Sequence, residues 1–88
     1  MDVRLAFLLS RAEEALPRLQ ALGLGAEVYL DPALLEEDAL FQSLRRRLPG
    51  RVSVHLPFWN LDLLSPDPEV RGLTLRRLLF GLDRAAEL

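Results

Sequence analysis

Apolar side chains fall on alternate positions in three short stretches of this chain, and at three- and four-residue spacing between them. In "DVRLAFLL" (2–9), Val3, Leu5, Phe7 and Leu9 share one parity, opposite Arg4, Ala6, Leu8 and Ser10. In "AEVYLD" (26–31), Ala26, Val28 and Leu30 oppose Glu27, Tyr29 and Asp31. In "RVSVHLPF" (51–58), Val52, Val54 and Leu56 oppose Arg51, Ser53, His55 and Pro57. Alternation of this kind predicts strands with one apolar and one polar side.

The intervening segments read as helices. Ser10 with Glu13 three residues on has the spacing of a capping box, and Leu16, Leu19 and Leu22 continue a helical face. Pro17 lies inside that face and is expected to kink or restart the helix, because it lacks a backbone donor. The "GLG" at 23–25 should end it. Asp31–Pro32 looks like a helix start, leading to Leu40, Leu44 and Leu48 and a stop at "PG" (49–50). "SPDPE" (65–69) offers Ser65 or Asp67 as a cap, with Leu75, Leu78, Leu79, Leu82 and Ala86 following at helical spacing.

Strand and helix thus alternate, with connections too long for hairpins. The expected fold is α/β: three consecutive βα units with parallel strands, at about 2–24, 25–50 and 51–88, joined by right-handed crossovers. A doubly wound sheet is covered on both faces, and its central strands are apolar throughout. One apolar and one polar parity instead suits a curved sheet with helices on one side, as in the first part of a (β/α)8 barrel. Ser10, Asp31 and His55 would then stand at the carboxyl ends of the strands, where such barrels place their chemistry.

Composition narrows this picture. The chain has 88 residues, half of them apolar and 27% charged, which fits a small globular unit rather than a disordered segment. A formal net charge of −2 gives no general reason to expect nucleic acid or an anionic membrane. There is no cysteine, so neither a disulfide framework nor a thiolate zinc site is available. No apolar stretch approaches a membrane span, and "MDVRLAFLLSRAEEAL" lacks the basic start and cleavage site of a secretory signal, so the cytoplasm is the expected compartment. All 11 basic residues are arginine, a bias that fits a GC-rich genome and a thermophilic source.

At residues 55–71 the chain reads "HLPFWNLDLLSPDPEVR". This resembles the His-x-Pro-Phe and Ser-Pro-Asp-Pro-Glu-Val-Arg stretch of the sugar-phosphate isomerase/epimerase family. These are xylose-isomerase-like TIM barrels, a group that also holds the endonuclease IV type of abasic-site nuclease. "LGLGAEVYLD" (22–31) is similar to the family's second strand.

The resemblance implies a divalent-metal site at the carboxyl ends of the strands. It matches His55 to the histidine that reaches metal or substrate, and Glu27 to the acid lining the barrel. Phe58, Asn60 and Asp62 fall in the loop bordering the substrate pocket, with Ser10 at the mouth of the first strand. Such enzymes polarise a sugar carbonyl or hydroxyl with the metal, while carboxylates and histidine move the proton. An eight-unit barrel takes roughly 250 residues, so these 88 correspond to about a third of one. The family's remaining Glu, Asp and His ligands would lie on strands beyond them.

Expectations for this chain follow. His55 would ligate a metal only with partners from outside these residues, and a sugar or sugar phosphate is the substrate class. The alternatives are a non-catalytic fragment that self-associates or binds a partner, and an endonuclease IV-like phosphodiesterase, which the acidic balance disfavours. Glu27 has a second reading, as an ion-pair partner of Arg4 across neighbouring strands. Asp31 reads better as a helix cap than as a ligand. "RRR" (45–47) reads as a solvated helix face, and Phe58 and Trp59 suit either stacking on a sugar or packing over the strand mouth. Ser10 has no base at a readable spacing, and "GLG" is too short for a phosphate loop.

Overall fold

Residues 2–57 and 61–88 are described by the computed structural model. They form three parallel strands, β1 (Arg4–Leu8), β2 (Gly25–Tyr29) and β3 (Val52–His55), in the spatial order β1-β2-β3. Three helices alternate with them: α1 (Ala12–Leu22), α2 (Asp38–Arg47) and α3 (Pro68–Ala85). The α/β fold of three consecutive βα units is as the alternation predicts.

Parity decides the two sides of the sheet. Leu5 pairs with Ala26 and Ala26 with Val52, and the next inward row is Phe7, Val28 and Val54. Phe7, Ala26 and Val28 are buried beneath Leu16 and Leu19 of α1 and Phe41 and Leu44 of α2, with Leu9, Leu30 and Leu35 closing one cluster. Burying each large side chain contributes about 1.5–3 kcal/mol. On the other parity Arg4, Ala6 and Leu8 are exposed and Glu27 and Tyr29 are half-buried.

The helix ends follow local chemistry, and several differ from expectation. Gly23, at φ +65°, closes α1: its N–H donates to Gln20 O and that of Leu24 to Leu19 O, the left-handed stop that glycine favours. At the other end the expected capping box does not form. A 3-10 turn over Leu9–Arg11 precedes the helix, Ser10 makes no cap, and Glu13 turns instead to Arg47. Pro17 does not break α1, which runs through it with the proline on the exposed side.

The helix expected to open at Asp31–Pro32 begins later. Pro32 starts only a 3-10 turn, Pro32–Leu34, and α2 proper begins at Asp38. It ends where Leu48 turns extended, as a residue before proline prefers. For α3 the cap is Asp67, whose Oδ1 accepts from the Glu69 N–H at 2.9 Å with Pro68 in the first turn. Ser65 Oγ supports it by accepting from the Asp67 N–H at 3.1 Å.

The leucine stripe of α3 is not core. Leu75, Leu79 and Leu82 are each about half exposed (51%, 52% and 53%), whereas the side that α3 buries carries Thr74 and Gly81. A Cβ on Gly81 would stand 2.9 Å from Pro57 Cδ, so this glycine is where the helix comes closest to the end of β3. Arg84 ties α3 to α2 and the segment before it. Its Nε donates to Leu35 O at 2.6 Å, its guanidinium pairs with Asp38 and Glu87, and it lies over the rings of Phe41 and Phe80. Only small residues fit where α3 meets the strand end, and Leu75, Leu79 and Leu82 point outward.

Candidate functional site

The polar side of the sheet is built in rows by the strand register. Ala6, Glu27 and Ser53 form one row, and Leu8, Tyr29 and His55 the next toward the carboxyl ends. Beyond them stand Ser10 and Asp31, joined by a hydrogen bond from the Ser10 N–H to Asp31 Oδ2 at 3.1 Å. Asp31 occupies the position before the 3-10 turn, but its side chain makes no cap bond there. The cap reading is thus corrected: the carboxylate reaches across to the end of β1 instead, where a backbone donor leaving the strand needs an acceptor.

His55 closes β3 on the exposed side. Its imidazole lies on the ring of Tyr29, with centroids 4.7 Å apart and planes inclined by 17°. Nδ1 is 2.8 Å from the carbonyl oxygen of Leu56. A carbonyl can only accept, so Nδ1 carries the proton in this contact and the lone pair of the neutral ring is on Nε2.

Glu27 lies one row below. Arg4 hydrogen-bonds and pairs with Asp2, at 3.0 Å, which raises its guanidinium, and the charge of Glu27 only adds to this. The Glu27–Arg4 ion pair is therefore replaced by one with Asp2. Hydrogen bonding from Arg4, more than the charge of Arg51, holds the Asp2 carboxyl below its ordinary value.

Asp62 is placed by α3 rather than by the sheet. Its backbone N–H donates to Thr74 Oγ1 at 2.9 Å, and its Oδ1 accepts from the Leu64 N–H at 2.8 Å. Phe58 and Asn60, together with Trp59, lie outside the described residues. The structure thus gathers Ser10, Asp31, Glu27 and His55 on one face and leaves Asp62 anchored to a helix.

Tyr29 belongs with them, and the sequence reading passed over it. Counting supplies the missing signal: Tyr29 stands four residues after Gly25 and His55 four after Arg51, at matching ends of adjacent parallel strands.

Among the described residues no three His, Asp or Glu side chains converge as a metal-ligand cluster. His55, Glu27 and Asp31 do not by themselves fit a divalent ion, which takes three or more protein ligands in a tight site. No helix among the described residues is long and apolar enough to cross a membrane.

Neither the protein-family models nor the curated proteins include a match to this chain. A solved structure of the TTHB071 protein from Thermus thermophilus, soaked with ZnCl2, is similar over 99% of the chain, with a TM-score of 0.95 and 94% sequence identity. This chain spans 36% of that protein's length. The similarity bears out the fold, and its Thermus source accords with the arginine-for-lysine bias.

Proposed function

We propose that these residues are the first three βα units of a (β/α)8 barrel. The barrel would isomerise or epimerise a sugar or sugar phosphate with the help of a divalent metal. The observation that carries this reading is the open, polar side of a parallel sheet whose carboxyl end gathers Ser10, Asp31, Tyr29 and His55. A coverage of 36% supports it, being close to three units in eight. His55 would hold or move a proton, Glu27 and Asp31 would lend negative charge, and further metal ligands would come from later strands.

The test uses the longer polypeptide that contains this segment. A panel of aldoses, ketoses and their phosphates is incubated in D2O with Mg2+, Mn2+, Co2+ or Zn2+. Exchange of a carbon-bound hydrogen is then followed by NMR. The expected result is metal-dependent exchange on at least one sugar, abolished by chelation and lowered at least about 100-fold in His55→Ala. Exchange indifferent to His55→Ala, or none across the metal-replete panel, would sink the reading.

A second reading has its own observation. Leu64 is 92% exposed and Leu75, Leu79 and Leu82 of α3 are each about half exposed, while β3 ends the sheet that these residues form. Unpaired edges and apolar patches invite association, so the 88 residues expressed alone would self-associate. Phosphodiester cleavage is less favoured. Arg4 and Arg51, the arginines at the amino ends of β1 and β3, share Asp2 rather than forming a basic patch.

A further inference from the structure

We propose that Tyr29 is a positioning residue for His55, holding the imidazole in the plane that keeps Nδ1 on Leu56 O and the lone pair on Nε2. The role rests on the reading of His55 as a site residue and deepens it, because a histidine that takes or gives a proton works from one nitrogen. Three features of the chain carry it.

First, register. Tyr29 and His55 are direct partners in the parallel β2–β3 pair, on the same side of the sheet, so the backbone itself brings the rings together. Their spacing of 4.7 Å and inclination of 17° fall in the stacked range for aromatic pairs. Second, anchorage. Tyr29 is half-buried in β2, with Leu8 as its register partner on one side and His55 on the other, whereas His55 is exposed. The better-held ring restrains the other.

Third, the division of labour between stack and hydrogen bond. Stacking sets the ring plane but not which edge faces the backbone, since a half-turn about Cβ–Cγ leaves the plane unchanged. The Leu56 carbonyl chooses the edge, because the flipped ring would present a carbon to it. The stack thus restrains the plane that the 2.8 Å contact needs. Tyr29 and Leu56 O thus favour the same tautomer of His55.

His55 is followed in the longer polypeptide, its ring signals identified by their loss in His55→Gln. Imidazole-15N-labelled protein is compared at about pH 8.5, where a histidine is ordinarily neutral, as wild type, Tyr29→Phe and Tyr29→Leu. Backbone amide spectra confirm the fold of each. Long-range 1H–15N correlations should show the Nδ1–H form in the wild type and in Tyr29→Phe, and mixed, averaging nitrogens in Tyr29→Leu. A wild type in the Nε2–H form, or Tyr29→Leu retaining a single Nδ1–H tautomer, would overturn the proposal. In the longer polypeptide kcat should fall roughly tenfold in Tyr29→Leu with KM unchanged, and Tyr29→Phe should restore it. The tautomer is read without metal or sugar. Scrambling in Tyr29→Leu therefore supports the positioning role even where the sugar panel fails, and failure of the two ideas can be told apart.

Discussion

Asp31 Oδ2 accepts the backbone N–H of Ser10 at 3.1 Å, across 21 residues of chain. The bond ties the carboxyl end of β1 to that of β2, at the edge of the sheet's polar side. Asp31→Ala removes the acceptor and should destabilise the fold by about 0.5–1.5 kcal/mol in urea denaturation. Asp31→Asn keeps an oxygen at the same place and should recover most of the loss. Equal losses in the two variants would show that charge, not the acceptor, matters there.

Thr74 is a buried hydroxyl with two partners on α3's inner side. It donates to Val70 O at 2.7 Å and accepts the Asp62 N–H at 2.9 Å, pinning the β3–α3 loop to the helix. Thr74→Val preserves shape but removes the acceptor of the Asp62 N–H, at a cost of about 0.5–1.5 kcal/mol. Amide hydrogen exchange at Asp62 should accelerate in the variant, while exchange in β2 changes only with global stability. Unchanged protection at Asp62 would mean another acceptor takes over.

How much of this was legible in the sequence depends on the range of the interaction. Strand parity was readable because period-two alternation is local, and so the inward row of Phe7, Val28 and Val54 and the polar row with His55 could be assigned directly. The Asp67 cap was legible as one of two local choices. Long-range bonds were not. Nothing near Asp31 announces Ser10, and nothing near Arg84 announces Leu35 O, 49 residues away. Helical spacing alone also does not say which side of α3 faces inward, which close approach to Pro57 decides at Gly81.

That close approach makes opposite forecasts for two glycines of one helix. Alanine is the better helix former by about 1 kcal/mol, so Gly72→Ala should stabilise, its new Cβ meeting only the movable end of Arg76 at 3.4 Å. Gly81→Ala would press a methyl within 2.9 Å of the Pro57 ring. Overpacking of this kind costs about 1–3 kcal/mol, which outweighs the propensity gain. Thermal melts should therefore move up for Gly72→Ala and down for Gly81→Ala. A rise in both would mean α3 can slide away from β3.

The last relationship concerns pH. Arg47, in the last turn of α2, grips Glu13 of α1 with two nitrogens, at 2.6 and 3.1 Å. This hydrogen bonding, with the guanidinium charge second, holds the Glu13 carboxyl below its ordinary value. A depressed carboxyl stabilises the folded state when ionised. The contribution is complete above the ordinary glutamate range, about pH 4.3, and fades as pH falls through the lowered folded value. Glu13→Gln should thus melt about 2–4 °C below wild type at neutral pH, a modest figure because the carboxylate is well solvated. The gap should close on acidification through pH 4 and below, and shrink in high salt. A gap that persists at about pH 2 would assign the effect to packing of the side chain rather than to its charge.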